Sequence, residues 1–422
     1  MNKDITTKVA ISGGGPAGIM LGYLLARSGI DVTVLEKWPD FFRDFRGDTI
    51  HPSTMENLYE LGILDKFLAL KHSKTRQMEA SISGEKMIVA DFSLLKLREP
   101  YIAFIPQWDF LNFISGEAKR FPSFHLLMAT EATDLIIEHD KIVGIKAKDA
   151  TSTFDISADL VVAADGRHST VRPLSGLASE DLGAPMDVLW FSISRTETDG
   201  DKSLARIDRG LMMPMINRTE YWQCGFVIAK GEFEHIKARG IAALQQNILH
   251  LAPFLGERVK EVDSWEKVKI LSVSVEHLFK WQRDGFLAIG DAAHTMSPIG
   301  GVGINFAIQD AVATANILVP AFLQGGVTLR DLEAVQKRRE FPARLTQRFQ
   351  VFVQNRIMKS ILTDTGDRTP LHIGFPFNLL KWFPQLRAIP ALIIGIGIRP
   401  EHVRTKEASP IQHGQDSQVH SN

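Results

Sequence analysis

The chain has a single cysteine, Cys224, among its 422 residues. One thiol excludes internal disulfides, cysteine-pair zinc sites and a redox-active cysteine pair, and no metal site is predicted. An excess of either charge is also missing, because 48 basic and 49 acidic side chains nearly cancel and no basic block stands out. This balance gives no electrostatic reason to expect nucleic acid as a partner.

Long hydrophobic runs are missing as well. The first residues, MNKDITTK, contain no apolar core of a secretory signal, so a cytoplasmic location is expected. The longest uncharged apolar run, Ala388–Ile398, has 11 residues, whereas a bilayer-spanning helix needs about 20. For residues 371–398 core packing or a lid is favoured, with shallow membrane contact as the alternative. The polar residues 401–422 are expected to form a disordered tail.

The most informative stretch, VAISGGGPAGIMLGYLLARSGIDVTVLE, covers residues 9–36 and reads as one βαβ unit. A short apolar strand runs into a G-x-G-x-x-G loop, an amphipathic helix follows, and a second apolar strand ends at Glu36. The glycines of the loop are Gly13, Gly15 and Gly18. The apolar stripe of the helix comprises Ala17, Met20, Leu21, Leu24 and Leu25.

Each residue type in this unit has a physical role in binding a dinucleotide. Gly13 allows a tight turn, Gly15 lets the backbone approach a pyrophosphate, and Gly18 lets the helix pack closely on the strand. The start of the helix offers unpaired N–H groups to the phosphates. Glu36 lies about 20 residues past the loop and would accept hydrogen bonds from ribose hydroxyls.

Two further strands end in glycine and acid, where open α/β sheets bind ligands. The run Leu160–Ala164 ends in Asp165 and Gly166, and a second run ends in Gly290 and Asp291. A glycine-rich loop after Pro298 then opens another helix near Gly303. For His294 a loop-anchoring role is favoured over that of a general base, because no carboxylate partner is identifiable in the sequence.

The order of these motifs closely resembles that of the single-component FAD-dependent aromatic hydroxylases, the flavoprotein monooxygenases with a para-hydroxybenzoate-hydroxylase-type fold. The resemblance covers roughly residues 8–350. It implies that Glu36 binds the FAD ribose, that Arg46 contacts FAD and helps control flavin movement, and that Gln107 contacts the flavin. The other cofactor contacts that it implies are Gly13, Gly15, Ala17, Gly18, Asp165, Gly166, Asp291, Pro298, Gly303, Ile304 and Asn305.

The resemblance also implies a reaction. NADPH or NADH reduces FAD, O2 adds as a flavin hydroperoxide, and one oxygen is transferred to a hydrophobic small molecule, which is expected to be aromatic. A second G-x-G-x-x-G and a W-x-W-x-I-P signature are missing, which argues against disulfide reductases and flavin halogenases. Two alternatives remain: an FAD-dependent reductase of an isoprenoid or other hydrophobic substrate, and a non-catalytic flavin-binding regulatory protein. No catalytic residue is assigned.

The expected fold is α/β, with a Rossmann-like FAD-binding domain, a β-sheet substrate domain and C-terminal helices. The FAD-binding domain is expected to be discontinuous. Its predicted parts are residues 1–72, 101–180 and 266–350, and those of the β-rich substrate domain are 73–100 and 181–265. Residues 351–400 form the C-terminal apolar helical segment in this division.

Overall fold

The computed structural model describes residues 4–42, 48–200, 203–208, 210–355 and 375–408. The strands are β1 (Ile5–Ser12), β2 (Val32–Leu35), β3 (Thr49–Ile50), β4 (Ser73–Thr75), β5 (Gln77–Ile82), β6 (Glu85–Asp91), β7 (Ile102–Phe104), β8 (Phe124–Leu127), β9 (Glu131–Glu138), β10 (Lys141–Lys148), β11 (Thr153–Ala163), β12 (Ser179–Asp181), β13 (Met186–Ser194), β14 (Leu204–Asp208), β15 (Leu211–Asn217), β16 (Tyr221–Ala229), β17 (Lys269–Ser272), β18 (Glu276–Leu278), β19 (Gln282–Arg283) and β20 (Phe286–Ala288). The α-helices are α1 (Pro16–Arg27), α2 (Pro52–Glu60), α3 (Leu64–Leu68), α4 (Gln107–Ala118), α5 (Val171–Leu174), α6 (Phe233–Ala238), α7 (Ile241–Leu251), α8 (Gly303–Leu323), α9 (Leu329–Val353), α10 (Phe375–Trp382) and α11 (Ala388–Gly395).

A largely parallel sheet forms the centre of the protein. Its strands follow the order β19-β20-β11-β1-β2-β8, and each neighbouring pair from β20 to β8 is parallel. The apolar runs that end β1 and β11 are buried in one core cluster with residues of α1 and α8, two helices that pack against each other. Parallel strands covered on both faces are the arrangement that such continuous apolar runs favour.

A second, mostly antiparallel sheet has the order β17-β13-β16-β15-β14-β5-β6. Its two ends come from distant parts of the sequence, since β5 and β6 join the later strands through the parallel pair β14·β5. The strand β14 has the sequence LARID, which carries two charges and shows little apolar alternation, so its place in the sheet comes from tertiary pairing rather than from a local pattern. The predicted α/β fold class is confirmed.

The sides of β13 show how this second sheet is buried. Leu189 and Phe191 belong to a core cluster shared with α7. The alternate residues Val188 and Trp190 point the other way, into a cluster that also contains Ile299. Since successive side chains of a strand face opposite sides, one side of the sheet packs on its own helix and the other faces the parallel-sheet region.

The C-terminal part differs from the predictions in two ways. Residues 401–408 were expected to be disordered, but Glu401 is buried and Ala408 bonds through its N–H to the Arg27 carbonyl at the end of α1. Core packing holds for only one side of α11, where Ala391 is buried while Ile389 and Leu392 are exposed. Among the described residues, one helical stretch, Ile299–Leu323, is apolar and long enough to cross a membrane, and it is mostly buried as the core helix α8.

Candidate active site

Three strand ends that are far apart in the sequence meet at one edge of the parallel sheet. A Cβ atom built on Gly13 would lie 2.5 Å from the carbonyl oxygen of Ala164, so the end of β1 touches the end of β11. A Cβ atom on Gly290 would lie 3.2 Å from Cβ of Ala17, so the segment after β20 reaches the start of α1. We call this region, with Glu36 after β2, the sheet edge.

The glycines of the first loop divide into two kinds. Gly13 has φ +107°, and a Cβ atom on Gly18 would lie 2.0 Å from the Gly13 carbonyl oxygen. These two positions need glycine for contacts within the protein. Gly15 differs, because the nearest described atom would be 3.9 Å from its Cβ atom. Gly15 therefore leaves room beside the first turn of α1, whose N–H groups have no partners within the helix.

Glu36 closes one side of this loop. Its Oε2 accepts a hydrogen bond from the Gly14 N–H at 3.2 Å, and its Oε1 accepts one from the Trp38 N–H at 3.1 Å. The residue is 9% exposed. These two bonds fix the orientation of the Glu36 carboxylate at the sheet edge.

Asp165 follows β11 at the same edge. Its Oδ2 accepts hydrogen bonds from the Thr170 N–H at 2.9 Å and from Oγ of Ser12 at 3.3 Å. Its Oδ1 is buried and has no hydrogen-bond partner among the described residues. Burial raises the pKa of Asp165. Gly166 has φ +83°, which turns the chain away directly after the carboxylate.

Asp291 stands in the short 3₁₀ turn after β20. Its carboxylate Oδ2 lies 3.6 Å from Nη2 of Arg167, and both side chains remain about a third exposed. Arg167 comes from the loop after Asp165, so the second and third strand ends are joined by this ion pair. Asp291 is thus the acidic residue at the solvent side of the sheet edge.

A second glycine-rich helix start borders the same region. After Pro298 the backbone turns through Gly300 with φ +82°, and α8 begins at Gly303. The first N–H groups of the helix, including that of Ile304, have no intrahelical partners. The side chain of Asn305 bonds to other parts of the protein instead. Its Oδ1 accepts from the His51 N–H at 2.9 Å and its Nδ2 donates to the Thr49 carbonyl at 3.1 Å.

Gln107 is the half-buried first residue of α4. Its N–H donates to Oδ1 of Asp48 at 3.2 Å, and Asp48 also forms a buried ion pair with Arg218 from the second sheet. Burial raises the pKa of Asp48 to about 6, although Arg218 opposes the shift. Arg46 lies outside the described residues.

His294 has a carboxylate partner that the sequence analysis did not identify. Its Nε2 lies 2.7 Å from Oδ2 of Asp310, and the same oxygen accepts a hydrogen bond from the Gly290 N–H at 3.0 Å. The other oxygen of Asp310 accepts from Nε of Arg339 at 2.9 Å. All three side chains are at most 2% exposed. This arrangement supports the loop-anchoring role of His294, since Asp310 ties the histidine and Gly290 to α8 and α9.

The charges around Asp310 decide its ionisation. Burial alone would raise the pKa of Asp310, but His294 and Arg339 together hold it below its ordinary value. Arg339 is in turn shared with Glu401, whose Oε1 lies 3.4 Å from its Nη1 and 2.6 Å from Nε of Arg338. We call His294, Asp310, Arg339 and Glu401 the Asp310 centre. A signal for it exists in the sequence, because Asp310 is the only charged residue between Gly303 and Leu323.

Apolar surfaces approach the start of α8 from two sides. Val188 and Trp190 of the second sheet pack in the cluster that contains Ile299, next to Pro298. From the other side, Cγ1 of Ile394 lies 3.8 Å from the position of a Cβ atom on Gly300. The carbonyl of Ile394 is 2.7 Å from Nδ1 of His51, which fixes α11 in this place.

Comparison with known proteins identifies the family. The FAD binding domain family matches residues 6–349. The chain is 32% identical over 361 residues to 6-methylpretetramide 4-monooxygenase of Streptomyces rimosus, covering 84% of this chain and 85% of that protein. It is 23% identical to para-nitrophenol 4-monooxygenase of Pseudomonas sp. strain WBC-3, over 79% and 83% of the two chains.

A solved structure shares the fold. The anhydrotetracycline hydroxylase OxyS of Streptomyces rimosus superposes with a TM-score of 0.71 at 20% identity, over 93% of this chain and 77% of that chain. The glycine loop, the open first turn of α1 and the unpartnered oxygen of Asp165 fit a bound dinucleotide. The chain therefore belongs to the FAD binding domain family and is an FAD-dependent monooxygenase related to those that act on aromatic compounds.

Proposed function

We propose that the protein binds FAD at the sheet edge and uses NADPH or NADH and O2 to hydroxylate a hydrophobic, aromatic small molecule. One observation carries this proposal: three strand ends converge on a region that retains open N–H groups and an unpartnered carboxylate oxygen. A protein edge with unused donors and acceptors is suited to a polar ligand with phosphates and hydroxyls.

The cofactor roles of individual residues are part of the proposal. The N–H groups at Gly15 and Ala17 face phosphates, and Glu36 accepts hydrogen bonds from the ribose hydroxyls. Gly13 and Gly18 shape the loop. Asp165, Gly166 and Asp291 contact the remaining polar parts of FAD, with Gln107 and Arg46 as further contacts. Pro298 would lie beside bound flavin, and the N–H groups of Gly303, Ile304 and Asn305 would donate hydrogen bonds to it.

Bound FAD supplies the redox and oxygen chemistry. The chain contributes binding and the exclusion of water from the reacting region. Val188, Trp190 and Ile299 present apolar surface on one side of the start of α8, and Ile394 does so on the other. An aromatic substrate held between such surfaces is desolvated, and unreacted oxygen species are shielded from protons.

The nicotinamide co-substrate meets the same edge in this proposal. The sequence contains one G-x-G-x-x-G fingerprint within a βαβ unit, and this one is used for FAD. We therefore place NADPH or NADH transiently at the flavin rather than on a domain of its own. We also propose a cytoplasmic location, where reduced nicotinamide cofactors are available.

The division into domains follows the two sheets. The FAD-binding domain would comprise residues 1–72, 101–180 and 266–350, and the substrate domain residues 73–100 and 181–265. The pairing of β5 with β14 supports the inclusion of residues 73–100 in the second domain. The site would then lie where one side of the second sheet faces the start of α8.

The test is turnover under isotopically labelled dioxygen with a panel of aromatic compounds. Compounds that stimulate NAD(P)H oxidation are selected first, and their products are analysed by mass. We expect one labelled oxygen atom in each product molecule. A product without label would overturn the proposal in favour of a reductase, and absence of flavin reduction by either nicotinamide would favour a regulatory protein.

A further inference from the structure

The helix α11 has most of its large apolar side chains on the outside, with Ile394 as the one that packs toward the protein. Ile389 and Leu392 are 56% and 50% exposed, whereas the small residues Ala391 and Gly395 face the protein. Gly395 is close-packed, because a Cβ atom there would lie 3.0 Å from the ring of Phe92. A surface helix of a water-exposed protein normally buries its large apolar residues. The outer side of α11 is therefore built to contact something other than water.

Neighbouring segments have the same character. Trp382 and Phe383, at the end of α10, are 64% and 54% exposed. Before the gap in the described residues, α9 carries an exposed stripe at helical spacing. Its members are Phe341, Leu345, Phe349 and Phe352. Single exposed apolar residues need no explanation, but repeated aromatic exposure within one part of the chain indicates a contact surface.

The charges of these segments have one sign. Residues 341–355 and 375–400 contain five basic residues and no aspartate or glutamate. The five are Arg344, Arg348, Lys381, Arg387 and Arg399. The rest of the chain has a slight acidic excess, since the net charge of the whole protein is −1. The exposed apolar surface is therefore combined with a local positive charge.

Some of these basic residues line an open cavity next to α10. It is lined by Lys86 of β6, by Lys381 and Arg387, and by one carboxylate, Glu79. Lys381 also bonds to Glu85 at the rim. Three cations from the second sheet and the C-terminal helices meet two carboxylates here, so the cavity keeps a net positive charge that favours an anionic group.

We propose that α10 and α11 dock on the surface of a lipid bilayer that contains anionic lipids. Trp382, Phe383, Ile389 and Leu392 would enter the boundary between headgroups and acyl chains, while Lys381 and Arg387 bind lipid phosphates. An α-helix of eight residues is too short to span the bilayer, so α11 lies in its plane. Tryptophan and basic residues at one level are typical of such interfaces.

A second copy of the chain fits this surface less well. In a two-fold symmetric dimer the same patch faces itself. Lys381 is already bonded to Glu85, but Arg387 would approach its own equivalent without an acidic partner from α10 or α11. Anionic lipid offers the opposite charge to Arg387 and a further phosphate contact to Lys381. Charge complementarity thus selects a bilayer surface over self-association.

The experiment measures flotation of the full-length protein with vesicles. Vesicles of phosphatidylcholine alone are compared with vesicles that also contain phosphatidylglycerol. We expect binding to the mixed vesicles, and a loss of about fivefold in affinity for each of Lys381→Gln and Arg387→Gln, since one basic residue near an anionic surface contributes on the order of 1 kcal/mol. Leu392→Glu should abolish the binding, and Ile389→Gln is the milder second variant if the first one unfolds.

Leu323→Glu is the matched control, because Leu323 is 68% exposed at the far end of α8 and outside the patch. It should leave vesicle binding unchanged. The proposal is overturned if the wild type does not float with the mixed vesicles, or if Leu392→Glu and Leu323→Glu behave alike. It is also overturned if the wild type forms a lipid-free dimer that Leu392→Glu dissociates, as measured by sedimentation.

Discussion

The sheet edge and the Asp310 centre lie on either side of Gly290, and both contain a buried aspartate. At the sheet edge, Asp165 keeps one oxygen without a hydrogen-bond partner among the described residues. At the Asp310 centre, both oxygens of Asp310 are bonded, to His294 and to Arg339. The first arrangement leaves capacity for a ligand, whereas both oxygens of Asp310 are occupied by partners within the protein. The comparison distinguishes a binding site from the support behind it.

The pKa values of Asp165 and Asp310 are shifted in opposite directions. The pKa of Asp165 is raised by burial, which outweighs the hydrogen bonds that its carboxylate accepts from neighbouring residues. The pKa of Asp310 is lowered despite complete burial, because a histidine and an arginine contact it. A buried carboxylate whose pKa is raised indicates a functional surface. A buried carboxylate that is bonded to cations indicates structural support.

The largest expected effect is a loss of protein stability when the Asp310 centre is changed. Asp310→Asn removes the charge that faces the buried Arg339, and we expect a loss of about 3–5 kcal/mol in the free energy of unfolding. The measurement is denaturant unfolding of the protein without FAD. Arg338→Gln is the control, with a loss of about 1 kcal/mol or less, because Arg338 is 29% exposed. Equal losses in the two variants would show that the Asp310 centre is no more than a surface network.

His294→Gln should lower stability by about 1.5–3 kcal/mol, the range for a hydrogen bond to a charged group. FAD content per folded chain and turnover per bound flavin should stay at the wild-type values, because His294 faces Asp310 rather than the sheet edge. Both quantities are obtained from the flavin absorbance and NAD(P)H consumption of one preparation. Normal flavin content without turnover would identify His294 as a catalytic residue.

Gly13 and Gly15, two glycines of the same loop, should respond differently to substitution by alanine. Gly13→Ala forces a Cβ atom against the Ala164 carbonyl, so we expect about 1–3 kcal/mol of lost stability together with poor FAD binding. A Cβ atom on Gly15 would meet only the Ala164 carbonyl oxygen, at an ordinary contact distance of 3.9 Å, so the thermal unfolding of the FAD-free Gly15→Ala protein should not change. Its FAD dissociation constant should nevertheless rise at least tenfold, or about 1.4 kcal/mol. Wild-type FAD affinity in Gly15→Ala would refute the proposed phosphate position.

The smallest effect is a difference in pH dependence. Asp310 has a folded pKa below its ordinary value, so the stability it adds is present above about pH 4 and is lost as the pH falls through the folded pKa. Asp165 has a raised pKa, so its favourable contribution exists at low pH and is lost as the pH rises through the folded pKa.

The two asparagine variants therefore separate with pH. The stability difference between wild type and Asp310→Asn should grow with increasing pH, whereas that between wild type and Asp165→Asn should shrink. Urea unfolding at several pH values measures both differences. Slopes of the same sign would contradict the assignment of Asp165 as the uncompensated carboxylate.

The sheet edge could be predicted from the sequence because its parts are local. Each strand end carries its own glycine and acid within a few residues, and parallel strands bring such ends to one side of a sheet. The Asp310 centre could not be predicted in this way. Its members come from four distant segments, and the position of Asp310 within an apolar helix stripe indicated only that one charge had to be compensated somewhere.

The C-terminal segment shows a different limit. Its apolar composition predicted core packing. Composition does not show how much of the rest of the protein is available to pack against a helix. Ala391 and Gly395 occupy the available contact with Phe92, which leaves the larger neighbours of α11 outside. Burial of this kind is decided by tertiary geometry. Glu401, which was expected to lie in a disordered tail, likewise bonds to Arg339, and no local sequence pattern predicts this contact.

The return of residues 400–408 to the first helix has a consequence for synthesis in the cell. Arg339 reaches the carbonyl of Arg399 and the carboxylate of Glu401, and Ala408 bonds to the end of α1. While these residues are still inside the ribosome, the Arg339 guanidinium lacks two of its three hydrogen-bond partners, Arg399 and Glu401. The nucleotide-binding unit, although made first, obtains its contact with Ala408 only after that residue has emerged, so these native contacts form late in folding.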